Sequence, residues 1–133
     1  MGEFFIEGPN ALPLLQNICS NDISKLIPGK ALYNYLPNSS GGVVDDLIVY
    51  KINDSKYLLV VNASNIEKDW EWIRKQNEEF NADIKNESDA YSLLAIQGPK
   101  AIEAMQSLSD VDLSALPFYA HKTGTFAGVE GVL

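Results

Sequence analysis

The stretch Gly41-Gly42-Val43-Val44-Asp45-Asp46-Leu47-Ile48-Val49-Tyr50 constrains this chain more than any other. It reads as a tight turn feeding a buried β-strand, yet two adjacent carboxylates stand where the pattern calls for apolar side chains. Successive strand residues point to opposite faces. That alternation sets Asp46 with Val44, Ile48 and Tyr50, and Asp45 with Val43, Leu47 and Val49, so the two aspartates are not expected to share one job. Both faces are otherwise apolar, and burying an ionised carboxylate without a partner costs on the order of several kcal/mol. At least one of the pair therefore needs a donor, in the protein or in a ligand. Two readings stand side by side: a strand-start aspartate that ties down the Gly-Gly turn, and a functional carboxylate, for which Asp46 is the stronger candidate.

The elements around this stretch follow from periodicity and turn chemistry. A strand over 3–7 ends at Gly8-Pro9, and Ala11, Leu15, Ile18 and Cys19 then recur at helical spacing, with Asn10 as the cap and Pro13 in the first turn. A strand over 30–36 leads to a hairpin turn at 38–42, in which glycines supply positive φ. Strands over 43–53 and 56–62 follow. The run Tyr57-Leu58-Leu59-Val60-Val61 has no polar break, which predicts a central strand covered on both faces. Ser64 and Glu67 have the spacing of a capping box. Ile66, Trp70, Ile73 and Phe80 form the stripe of a helix to about residue 80, with Trp72 on its flank. An edge strand is expected over 82–85 and an apolar strand over 91–97. A helix to about residue 108 turns Ile102, Met105 and Leu108 inward. Strand character returns after Pro117.

One segment occurs twice. Ile6-Glu-Gly-Pro-Asn-Ala-Leu-Pro-Leu-Leu-Gln recurs from Ile96 as Ile-Gln-Gly-Pro-Lys-Ala-Ile-Glu-Ala-Met-Gln, and Asp22 matches Asp112 at the same offset. Gly-Pro alone is a common strand-to-helix junction. The matched Ala11/Ala101 and Gln16/Gln106 lie beyond it, which points to a duplicated β-α corner. The fold class expected is α+β: a mostly antiparallel sheet with helices packed on it, built on a ferredoxin-like or related duplication of βα corners.

The net charge of −8 argues against a nucleic-acid partner, which calls for a basic stripe, and against docking on anionic lipid. Cys19 is the only cysteine, so no disulfide framework or thiolate metal cage is expected, and a reducing compartment fits. No apolar run reaches bilayer length and no charged-then-apolar leader is evident. No phosphate-binding glycine loop and no zinc spacing appears, so no metal site is expected. His121, the only histidine, reads as structural. The residues left for chemistry are Asp46 with Tyr33, Tyr35, Tyr50 and Asn62. With Tyr33 and Asn62 on neighbouring strands they make a flat aromatic slot beside one carboxylate, suited to a planar, neutral-to-cationic heterocycle.

Read end to end, the chain resembles the glycine cleavage system T proteins, the folate-dependent aminomethyltransferases. The resemblance rests on M-G-E-F, E-G-P-N-A, N-D-I-S-K-L, G-K-A-L-Y, G-G-V-V-D-D-L-I-V-Y-K, L-L-V-V-N-A-S-N-I-E-K-D-W and L-L-A-I-Q-G-P-K-A. It implies part of a larger folate-binding fold, with residues 1–133 as a partial folate-binding domain, a compact core at about 20–90 and flanking β-α repeats at 3–19 and 91–108. It further implies transfer of a one-carbon unit from the aminomethyl-lipoyl group of a partner H protein to tetrahydrofolate as co-substrate, with release of ammonia. Asp46 matches the family's catalytic carboxylate; Tyr33, Tyr50, Asn62 and Met1 match folate-lining positions. Family members are longer, and the 133 residues alone are expected to fold but to have little transferase activity. The implied setting is the cytoplasm, or the mitochondrial matrix for a eukaryotic source. Alternatives within the resemblance are the folate domain of a dimethylglycine- or sarcosine-type oxidase and a non-catalytic folate-binding relative; outside it stands a ligand-free β/α interaction module.

Overall fold

A computed structural model describes residues 1–133, which divide into two units, 1–92 and 93–133. The first unit carries β1 (Gly2–Glu7), α1 (Ala11–Ile18), β2 (Lys30–Pro37), β3 (Val43–Asn53), β4 (Lys56–Val61), α2 (Ile66–Asn77) and β5 (Asp83–Asn86). Its five strands form one antiparallel sheet in the order β2-β3-β4-β1-β5. β1 and β3 therefore run parallel with β4 between them, and β4 and β5 run parallel with β1 between them. These are the two split β-α-β crossovers of a ferredoxin-like fold, to which β2 adds an edge strand. The expected α+β class and antiparallel sheet are what the chain adopts.

Both helices cover one face of the sheet. Phe4, Ile6, Leu47, Val49, Tyr57, Leu59 and Val61 from the strands meet Ala11, Leu14, Leu15 and Ile18 of α1 and Ile73 of α2 in one buried cluster. α1 reaches this cluster through residues at i, i+3, i+4 and i+7, the stripe that a 3.6-residue period lays on one side. β4 is buried on both faces from Tyr57 to Val61, as its unbroken apolar run predicts. On the second face Phe5, Leu58 and Val60 form a smaller cluster with Tyr50 and Ile52. Segment 3–19, read from the sequence as a flank, lies inside the main core: Phe4, Ile6, Leu14, Leu15 and Ile18 have no solvent exposure.

Other expectations change in detail. The capping box does not form. The chain enters α2 through a 3₁₀ turn, Ala63–Asn65, in which the Asn65 N–H donates to the Asn62 carbonyl at 2.9 Å, and no side chain caps the helix. Asn10 holds the cap position of α1 but also makes no side-chain cap bond. At α1 the Ala11 N–H donates instead to the Gly8 carbonyl at 3.1 Å.

The second unit holds α3 (Ala101–Gln106) and the hairpin β6 (Thr123–Phe126) and β7 (Val129–Val132). Ala127 and Gly128 both have positive φ, as a two-residue turn of the primed type requires. His121 is buried in this unit. The strand expected over 91–97 is absent. A strand exists only where a neighbour supplies ladder hydrogen bonds, and no strand edge in either unit pairs with this run, which leaves Leu94 71% exposed.

The duplicated corner survives in its second half. Gly8 and Gly98 both have positive φ, and Ala11 and Ala101 donate from N–H to their carbonyls at 3.1 Å. Asp22 and Asp112 each accept from the N–H two residues on, Ser24 or Ser114, at 3.1 Å. The Gln16 and Gln106 side-chain carbonyls accept from Ser24 and Leu113. The match runs to Gly29 and Tyr119, both at positive φ. Only the strand half differs, because β1 is paired on both sides and its counterpart on neither.

Leu59→Ala removes a fully buried side chain from the central strand and is expected to cost about 2–5 kcal/mol. Leu94→Ala, in the unpaired run, is expected to stay within about 0.5 kcal/mol. Denaturant titration of the two variants checks the contrast.

Candidate functional site

β3 does not keep strict alternation at its start. Tyr35 pairs with Asp46 but Pro37 pairs with Val43, so Leu36 alone faces both Val44 and Asp45: a β-bulge. Val44 is thereby brought onto the helix-covered core, whereas the sequence alternation set it with Asp46 on the opposite face. Asp46 keeps its place on that opposite face, two residues before Ile48 and four before Tyr50. The turn before the bulge is held by neither aspartate. The Asn38 side-chain oxygen accepts from the N–H of Ser40 (3.0 Å), the Ser40 hydroxyl (2.6 Å) and the N–H of Gly42 (2.9 Å), and Gly41 alone supplies the positive φ. Tying down the turn is Asn38's role, which frees both carboxylates for other partners.

Asn62, directly after β4, holds the pair. Its Nδ2 donates to Asp46 Oδ1 at 2.8 Å and to Asp45 Oδ1 at 3.1 Å, and lies 3.3 Å from the Asp46 carbonyl. The two aspartates, expected to act apart, thus converge on one amide. From the other side the Tyr33 hydroxyl donates to Asp46 Oδ2 at 2.7 Å. Tyr33 and Asn62 do not occupy neighbouring strands, as the sequence reading had it; β3 runs between them, and this is why they grip Asp46 from both sides. Each carboxylate oxygen has a second acceptor site, so Asp46 can still receive a donor from above the sheet.

Tyr33 and Tyr35 of β2 alternate onto the same face as Asp46, and both rings are exposed. Tyr50 sits on it beside Leu58. Met1 precedes β1 at the sheet end where Asn62 follows β4, since Gly2 pairs with Val61, and it is half exposed. The arrangement is an open aromatic face with one carboxylate, not the slot expected. Two hollows of about 400 and 610 Å³ lie along α2, and Asp46 lines neither.

One residue of this constellation escaped the sequence reading. Asp69 of α2 has no solvent exposure and lies against Asp45, and neither of its carboxyl oxygens has a hydrogen-bond partner. Burial first, then the closeness and charge of Asp45, push Asp69 up to about 7. Burial acts to raise Asp45 as well, but the polar groups beside it, on Asp69, Asn65 and Asn62, outweigh it and hold Asp45 below the usual carboxylate range. The signal was available: Asp69 falls three residues after Ile66 and four before Ile73, on the inward stripe of α2.

The family model of the GCVT N-terminal domain matches residues 1–133. The chain belongs to that family. It is similar to proteins named aminomethyltransferase: 61% identical over 132 residues to that of Flavobacterium psychrophilum, 54% to that of Bacteroides thetaiotaomicron and 44% to that of Thermotoga sp. strain RQ2. These alignments cover 99–100% of this chain and 36–37% of the relatives, so the chain spans little more than a third of their length. Among solved structures it is similar to the glycine cleavage system aminomethyltransferase T from Bartonella henselae, with a TM-score of 0.77 and 26% identity over 90% of this chain and 32% of that one. Both split crossovers and the Val44–Asp45 bulge thus lie in the stretch that the GCVT N-terminal domain defines.

Asp69 makes the domain's stability depend on pH. In the folded state this group keeps its proton up to about 7, whereas in the unfolded chain it loses it near the ordinary value of about 4. Between those values the folded chain binds the extra proton, so this group's contribution to stability falls as pH rises from about 4 to about 7. Denaturant unfolding across that range is expected to show the decline in the wild type, and a flatter profile in Asp69→Asn.

Proposed function

We propose that the protein carrying this domain is a tetrahydrofolate-dependent aminomethyltransferase of the glycine cleavage system. It takes the one-carbon unit from the aminomethyl-lipoyl group of an H protein, passes it to tetrahydrofolate and releases ammonia. Family membership and the names of the relatives support the reaction class. The observation that carries the reading is Asp46: a carboxylate on an open, tyrosine-lined sheet face, fixed by Tyr33 and Asn62.

That geometry suits the chemistry. Cleavage of the carbon–sulfur bond, with the sulfur leaving as the dihydrolipoyl thiol, gives the aminomethyl carbon iminium character. The folate amine then bonds that carbon, ammonia leaves, and a fixed carboxylate stabilises positive charge as it develops. Asp46 is assigned to hold the folate amine that attacks this carbon and to favour its cationic state. Tyr33, Tyr50, Asn62 and Met1 line the surface on which the pterin lies, the tyrosine rings offering flat apolar contact and Asn62 a polar edge. The Tyr33 hydroxyl and the Asn62 amide reach Asp46 before any substrate does, so its direction is set without cost at the moment of reaction.

In the full-length protein, Asp46→Ala is expected to lower kcat by about 10²- to 10⁴-fold. Tyr33→Phe, which removes one hydrogen bond to a charged group, is expected to lower it by about ten- to a hundredfold. Formation of methylene-tetrahydrofolate, measured beside a tetrahydrofolate titration, checks both. Equal binding and equal turnover in Asp46→Ala and wild type overturn the assignment.

A further inference from the structure

The buried group that this mechanism leaves unused is Asp69. We propose that Asp69 is a positioning residue held as the neutral acid, whose proton bonds Asp45 and so fixes the chain Asp69–Asp45–Asn62–Asp46 that aims the reactive carboxylate. The proposal rests on the reading of Asp46 given above and extends it by one layer into the core.

The argument is one of donors and acceptors. Asp45 Oδ1 accepts from Asn62, while Asp45 Oδ2 and both oxygens of Asp69 are buried with no fixed donor. Two ionised carboxylates accept only, and such a contact out of water is repulsive. It becomes a hydrogen bond when one partner carries a proton. The charged groups facing Asp69 identify which. From β3 come Asp45 and Asp46, both negative; from its own helix comes Lys68. The Lys68 ammonium is 4.0 Å from Asp69 Oδ1 and half exposed, and it donates to the Val44 carbonyl at 2.6 Å. The α1 residues buried in the core, Ala11, Leu14, Leu15 and Ile18, carry no charge. With Asp45 beside it, the charge of Asp46 acting from across the strand, and Lys68 half exposed at 4.0 Å and already donating to a carbonyl, the fully buried Asp69 keeps the proton. Asp45, which has Asn62 as a second donor, stays ionised.

Protonated, Asp69 holds Asp45 from the core side while Asn62 holds it from the sheet end. Asn62 then has its amide nitrogen fixed between two acceptors, and Asp46 Oδ1 inherits that orientation. Ionised, Asp69 repels Asp45, the clamp on Asn62 loosens, and Asp46 loses one of its two anchors. The bulge at Val44–Asp45 lets Asp45 reach inward to α2 while Asp46 stays on the open face.

The test uses the full-length protein, labelled at aspartate carboxyl carbons and at asparagine side-chain nitrogens. In the wild type one aspartate is expected to titrate with a midpoint near neutrality, and the Asn62 amide signal to move with it; both movements are lost in Asp69→Asn. Turnover with tetrahydrofolate is expected to fall as pH rises through that midpoint in the wild type and to lose that limb in Asp69→Asn. Asp69→Leu, which leaves Asp45 without its inner donor, is expected to lose about ten- to a hundredfold in kcat, and the asparagine variant to recover most of that loss. Absence of any aspartate titrating above the ordinary carboxylate range overturns the proposal, as does an Asn62 signal that ignores the titration. If Asp69→Leu fails to fold, the two signals in wild type and Asp69→Asn still decide. Paired titrations in a protein that shows no folate turnover support the acid pair and refute the proposed reaction instead.

Discussion

A single side-chain amide holds together the most demanding part of this domain. Asn62 donates to Asp45 and to Asp46, which the β3 bulge turns in different directions, and so two carboxylates near the start of β3 are bridged by one neutral group. The cost of leaving a carboxylate unpaired in such a place exceeds what one surface ion pair contributes. The surrounding structure answers that constraint. Tyr33 closes the second oxygen of Asp46, Asn38 takes over the turn, and Lys68 caps the Val44 carbonyl.

The sheet is asymmetric, and that asymmetry sets where chemistry can occur. One face is sealed by α1 and α2 over a continuous apolar cluster, while the other carries a smaller cluster and exposed tyrosines. A carboxylate on the sealed face, Asp45, must find its donors within the chain, and Asp69 lies against it. A carboxylate on the open face, Asp46, keeps acceptor sites for something outside the chain. Two neighbours in sequence thus have opposite duties because a strand separates two different environments.

Much of this was legible from residue order. Periodicity placed the strands from β1 to β5 and both helices of the first unit, the unbroken run at Tyr57–Val61 marked the covered central strand, and the Gly-Pro corners revealed a local geometry that recurs down to the Asp22 and Asp112 turns. Three features were not. The capping box at Ser64–Glu67 gave way to a 3₁₀ entry, in which the Asn65 N–H donates to the Asn62 carbonyl. The apolar run at 91–97 has strand composition, but composition cannot supply a partner strand. Asp69 was passed over because a charged residue in a charged helix reads as solvated unless its phase against Ile66 and Ile73 is checked.

The order of residues by itself determined the apolar stripes, the turns and the presence of two adjacent carboxylates where a strand should be buried, since these depend on periods of two and 3.6 and on local backbone preference. Only the tertiary structure decided that Asp45 meets Asp69, that Asn62 bridges both aspartates and that Tyr33 grips Asp46 across β3. Those contacts join residues 13 to 24 positions apart, through a bulge whose one-residue shift no alternation pattern contains. Where a charge ends up buried, its partner is chosen by how the sheet and helix come together in space, and that choice sets both its proton and its role.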